Sequence, residues 1–180
     1  MNSVLGGGYS SRLNQEIRIK RGLSYGAGSS FAWRDTASNF STSTQTKSET
    51  AAEVARLVLE EIDKLSEGSI STAELDPRKL VVSGDFARDL ETTIGLAGRI
   101  AELYSFGLKP TEMNVYIHNV RAVTPAQIRS FAAASLRGGD IVVVGDAKFF
   151  LDDLRKRFPN YLVNVIPAAE VDIEKDSLRK

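Results

Sequence analysis

The stretch LGGGYSSRLNQEIRIKRGLSYGAGSSF, Leu5–Phe31, passes from a glycine turn through a helix into a strand. Gly6 to Gly8 suit a tight turn with close backbone packing. Tyr9, Leu13 and Ile17 recur at i, i+4 and i+8, which predicts one apolar stripe on a helix from about Tyr9 to Lys20. Arg21-Gly22 is a stop, with Gly22 able to take the left-handed cap conformation. From Leu23 the period changes to two, so that Leu23, Tyr25, Ala27, Ser29, Phe31 and Trp33 share one strand face. R-D-T-A-S (34–38) turns the chain, and Phe40, Thr42, Thr44 and Thr46 alternate on the way back, completing a long hairpin.

Beyond the hairpin the pattern is mostly helical. Ser48 is placed to cap a helix carrying Val54, Leu57, Val58, Ile62 and Leu65, which ends at Glu67-Gly68. Ser71 and Glu74 form a capping-box pattern, but Pro77 then stands deep in the helix. Either the helix kinks there, or it restarts with Asp76 as cap and Pro77 as its first residue. Helical spacing continues through Leu90, Ile94, Ala97, Ala101 and Tyr104 to about Phe106, with a break expected near Gly84. A short helix over 111–120 follows, then one opened by the capping box Thr124-Pro-Ala-Gln127 with Ile128, Phe131, Ala132 and Ser135 on one face. Asp140 to Asp146 and Leu162 to Ile166 read as strands, with a helix between them capped by Asp146. The sum is an α+β domain spanning 1–180, a mostly antiparallel sheet packed against several helices.

Composition narrows the chemistry. Lys plus Arg and Asp plus Glu number 23 each, so nothing in the charge favours a nucleic-acid or anionic-membrane partner. No apolar run approaches membrane-spanning length, and MNSVLGGGYSSRL lacks the basic start and apolar stretch of a signal peptide. There is no cysteine, which removes disulfides, thiolate catalysis and sulfur-ligated metal together. His118 is the one histidine, so no two-histidine zinc motif exists in this chain, and no metal or cofactor of its own is expected.

G-L-S-Y-G, Gly22 to Gly26, spells the G-x-S-x-G of a serine hydrolase. A nucleophile elbow runs from strand to serine to helix. Here helix precedes strand, so Ser24 reads as a small strand residue. The triple glycine has no G-K-[ST] after it and is no phosphate loop. His118, in YIHNV, reads as a packed or surface histidine. Arg12, Arg18, Lys20 and Arg21 cluster toward a helix end, where cations offset the helix dipole.

Taken whole, Leu5–Phe31 resembles the start of the C-terminal-type, non-zinc domain of the pitrilysin (insulinase) family of zinc metallopeptidases, the inverzincins. The family pattern there is L-G-G, two or three residues, S-R-L, a few residues, then R-E-K-x-G-L-A-Y. The later stretches ISTAEL, VRAVTPAQIRSFAAASL and IVVVGD also follow in the family's order. Two departures stand out: Ile19 replaces the family's glutamate after the arginine, and Asp76-Pro77 falls in a helix that is usually continuous. The resemblance implies a metallopeptidase (LuxS/MPP-like) half-domain, truncated at its N-terminus and inactive alone. It implies that zinc is held by an H-x-x-E-H motif in a partner domain or subunit. It implies that Arg18 and Tyr25, separated by six residues, help bind a peptide substrate and stabilise the negative charge that develops on its carbonyl oxygen. It further implies a periplasmic or cell-envelope setting, and an open sheet edge through which the fragment could form a homodimer. The alternative within the same fold is a catalytically silent scaffold, or a processing-peptidase-like core subunit of an assembly. A peptide-binding module using the sheet edge is a third reading.

Overall fold

The computed structural model describes every residue except 35, 69 and 180. A short helix α1 (Asn2–Leu5) opens the chain and buries Val4 and Leu5. The glycine turn follows because the backbone there meets the hairpin. The Gly6 carbonyl accepts from the Ser29 N–H at 3.2 Å, and a Cβ on Gly6 would stand 2.5 Å from that nitrogen. Only glycine fits that approach.

The helix after the turn differs from the expected one in two ways. It begins near Arg12 rather than Tyr9, and over Asn14–Ile19 it is wound as a π-helix, with the Lys20 N–H reaching back to the Gln15 carbonyl at 3.0 Å. Leu13 and Ile17 are fully buried, as the stripe predicts, but Tyr9 is 62% exposed. Tyr9 lies ahead of the helix, in a turn closed by the Ser11 N–H on the Gly8 carbonyl at 3.0 Å, so helical periodicity does not govern it. Gly22 takes the expected left-handed conformation, φ +61°. The closing bond runs from the Leu23 N–H to the Ile17 carbonyl at 2.9 Å, one residue wider than a Schellman closure, as the π winding requires.

Strands β1 (Ser24–Ala32) and β2 (Asn39–Thr46) pair antiparallel. Ser24 pairs with Thr46 and Ala27 with Thr44, so β1 carries one extra residue there, a bulge at Tyr25-Gly26. The strict alternation expected from Leu23 to Trp33 is therefore broken at Tyr25. The turn expected over 34–38 includes residue 35, outside the described residues; beside it the Arg34 N–H donates to the Ser38 hydroxyl at 3.2 Å.

Helix α2 (Ala51–Glu67) carries the core. Val54, Leu57, Ile62 and Leu65 pack with Val4, Leu5, Leu13, Ile17 and Ala27, and with Ile128 and Ala132 of α6 (Pro125–Ser135). Ser48 begins a 3-10 turn ahead of α2 and makes no side-chain cap. Helix α3 (Thr72–Leu90) runs through Pro77 as one helix begun at Ser71, whose hydroxyl accepts from the Glu74 N–H at 3.1 Å. There is no restart at Asp76. The break expected near Gly84 instead falls at Glu91-Thr92, where Thr92 caps α4 (Thr93–Ser105) by accepting from the Gly95 N–H at 3.0 Å. Helix α5 (Glu112–Ala122) follows, and α6 carries the complete Thr124/Gln127 capping box.

The strands expected at 140–146 and 162–166 do not form. Both segments are non-regular and wall one cleft with Phe150, Leu151 and Leu154 at helix α7 (Leu151–Arg157), while Val144 and Leu162 are 94% and 98% exposed. A strand needs a neighbour to take its N–H and C=O groups, and apolar content alone does not supply one. The fold is α+β, a two-stranded antiparallel sheet with helices packed against it. No helix among the described residues is long and apolar enough to cross a membrane.

Candidate functional site

Arg18 and Tyr25 come together. The Arg18 guanidinium carbon lies over the Tyr25 ring, 4.8 Å from its centroid, and over the Tyr9 ring at 4.9 Å. Arg18 is half-buried at the end of the π-helix, while the Tyr25 ring is 89% exposed. The bulge accounts for that exposure: Ala27, two residues on, points into the core, while Tyr25 at the irregularity is turned outward.

One buried amide sets the spacing. Asn14 Nδ2 donates to the Ala27 carbonyl at 2.7 Å, and Asn14 Oδ1 accepts from the Ala27 N–H at 3.2 Å. The same Nδ2 also reaches the Gly8 carbonyl at 3.1 Å. A single side chain thus ties the π-helix both to the strand that carries Tyr25 and to the turn that carries Tyr9. Neither Asn14 nor Tyr9 stands out in the sequence as part of a site; the only signal is a polar residue beside Leu13 on the buried side of the helix.

The charges around the pair are sorted. Arg12 makes a bidentate pair with Glu74 at 2.7 and 2.8 Å, which raises the Arg12 pKa and holds the Glu74 carboxyl below its ordinary value. Glu16 pairs with both Lys20 and Arg21, and the Lys20 ammonium, followed by the Arg21 guanidinium, holds its carboxyl low. Three of the four clustered cations are therefore neutralised. Arg18 has only aromatic faces: among the described residues no carboxylate or carbonyl takes its N–H groups. A guanidinium held by π contacts with open donors suits an incoming carbonyl or carboxylate oxygen.

Ser24 is built into the bulge. Its hydroxyl stands 2.8 Å from the Thr44 hydroxyl, 2.6 Å from the Gln45 carbonyl and 3.1 Å from the Gly26 N–H. No imidazole is among these partners, and His118 is exposed on α5. Among the described residues no group of three or more His, Cys, Asp or Glu could hold a metal ion.

Residues 1–80 match the family described as the peptidase M16 inactive domain. An uncharacterized zinc protease of Streptomyces coelicolor is 28% identical over 149 residues, covering 82% of this chain and 32% of that protein. The crystal structure of a peptidase M16 inactive domain from Pseudomonas fluorescens superposes with a TM-score of 0.69 at 24% identity, covering 76% of this chain and 32% of that one. A protease from Helicobacter pylori gives a TM-score of 0.69 at 23% identity, over 76% of this chain and 33% of that one. The chain spans about a third of the length of each of these relatives. The first 80 residues therefore match the peptidase M16 inactive domain family, and the chain shares the fold of these solved structures.

Proposed function

We propose that this domain is the substrate-holding half of a zinc metallopeptidase, with Arg18 and Tyr25 as donors to the carbonyl oxygen of the scissile peptide. The observation that carries this is the Arg18 guanidinium seated on the Tyr25 ring with, among the described residues, no anion to neutralise it, while its three cationic neighbours are all paired. Hydrolysis places negative charge on the carbonyl oxygen. A phenol hydroxyl and a guanidinium fork fixed there stabilise that charge more than they stabilise the neutral peptide. Zinc is supplied by a partner domain or subunit carrying H-x-x-E-H, so this chain is inactive alone. Its family resemblance supports a periplasmic or cell-envelope setting for the full protein, and the isolated chain self-associates through its open sheet edge into a homodimer. A silent scaffold has no need of an unpaired arginine between exposed tyrosines, and that residue favours the peptidase reading.

The test is Arg18→Lys in the enzyme that also carries the zinc half. Lysine keeps the charge but loses the planar fork and its aromatic stacking, so kcat is expected to fall at least about tenfold, the factor one lost charge-assisted hydrogen bond represents. Zinc content is checked in parallel. Unchanged kcat and KM with full zinc would contradict the role given to Arg18.

A further inference from the structure

We infer that Tyr9 is a positioning residue for Arg18, the second ring of an aromatic seat that holds the guanidinium where a substrate oxygen can meet it. The inference rests on the proposed role of Arg18 for its functional consequence, but not for its structural content. Arg18 lies over the Tyr9 and Tyr25 rings at almost equal distances, 4.9 and 4.8 Å. Tyr9 is 62% exposed, so burial does not explain where its ring sits. The preceding residue, Gly8, is fixed twice, by the Ser11 N–H at 3.0 Å and by Asn14 Nδ2 at 3.1 Å on its carbonyl. Asn14 lies one helical turn before Arg18 and also grips Ala27, two residues after Tyr25. Both rings and the cation between them are thereby registered to one buried amide.

A long arginine side chain with no hydrogen-bonded partner among the described residues would otherwise sample many rotamers and lose that freedom on meeting substrate. Two rings restrict it beforehand while leaving its N–H donors open. The ring matters here and the Tyr9 hydroxyl does not, because the attraction is between the cation and the π face. Tyr9 need not touch the substrate; it acts through Arg18.

Two measurements test this. In the first, the ¹⁵N-labelled chain is observed by NMR at the Arg18 Nε–Hε and side-chain CH₂ signals. Ring currents from two tyrosines shift them upfield; Tyr9→Leu is expected to move them toward random-coil positions, and Tyr9→Phe is expected to leave them near wild type. Signals in Tyr9→Leu that stay at wild-type positions, with Tyr25 unchanged, overturn the seat whatever the protein's activity. In the second, the zinc-bearing enzyme is assayed with the same variants. Tyr9→Leu is expected to lower kcat about two- to fivefold, the factor an exposed cation–π contact is worth, with KM nearly unchanged, and Tyr9→Phe to restore it. If Tyr25→Phe and Arg18→Lys damage kcat while Tyr9→Leu does not, the positioning role fails and the Arg18–Tyr25 reading stands. If none of the three changes kcat, it is the underlying reading that fails. Equal losses in Tyr9→Phe and Tyr9→Leu would also overturn the proposal, by placing the effect on the hydroxyl.

Discussion

The Asn14 side chain occupies the place of a strand neighbour to Ala27: its amide gives to the Ala27 carbonyl at 2.7 Å and takes from the Ala27 N–H at 3.2 Å. The bulge at Tyr25-Gly26 disturbs the ladder just before Ala27, and the helix side chain satisfies both buried backbone groups. Arg18 and Tyr25 are then neighbours as a consequence of this helix-to-strand clasp.

Asn14→Ala leaves the buried Ala27 N–H and C=O without that partner, each at a cost of about 1–3 kcal/mol. The expected loss of stability is about 2–6 kcal/mol, read from urea unfolding. A loss under about 0.5 kcal/mol, the scale of an unremarkable surface change, would show that the clasp does not hold the helix to the strand.

Gly6 and Gly8 offer a paired comparison within one turn. A Cβ on Gly6 would meet Ser29 N and Oγ at 2.5 Å, whereas one on Gly8 meets nothing within 4 Å. Gly6→Ala is expected to destabilise by about 1–3 kcal/mol as an overpacking change, and Gly8→Ala to stay within about 0.5 kcal/mol. Thermal unfolding of both variants checks this; equal effects would contradict the close approach of α1 to β1.

Glu74 carries a pH dependence of stability. Its hydrogen bonds from Arg12 lower its folded-state pKa below the ordinary 4.5. A depressed carboxylate pKa stabilises the fold above the unfolded value and loses that contribution as pH falls through the folded one. Wild-type protein is therefore expected to lose more stability between pH 6 and strongly acid pH than Glu74→Gln does. Parallel urea midpoints across that range measure it, and identical pH profiles would remove Arg12–Glu74 from the account.

How much of this was legible in the sequence follows from what periodicity reports. Leu13 and Ile17 are buried where the stripe puts them, and Thr124 with Gln127 forms the complete capping box, because burial and capping are local or near-local events. Tyr9 shared the stripe's spacing but lies in a turn outside the helix. The π winding and the bulge depend on hydrogen-bond partners across space, which no local pattern encodes. The same limit explains 140–146 and 162–166: their apolar residues match strands, yet a ladder exists only where a neighbour completes it. Of the site, Arg18 and Tyr25 came from the likeness to a family motif, whereas Asn14 and Tyr9 become visible only once the helix and strand are docked.

Tyr25→Phe in the zinc-bearing enzyme asks whether the Tyr25 hydroxyl stabilises charge on a substrate oxygen, as proposed. The ring is retained, so its place under Arg18 is kept and the fold is expected to be unchanged. Loss of one oxyanion donor is expected to lower kcat by about 10²–10³ with KM little affected and zinc content intact. Wild-type kcat and KM in that variant would contradict the account.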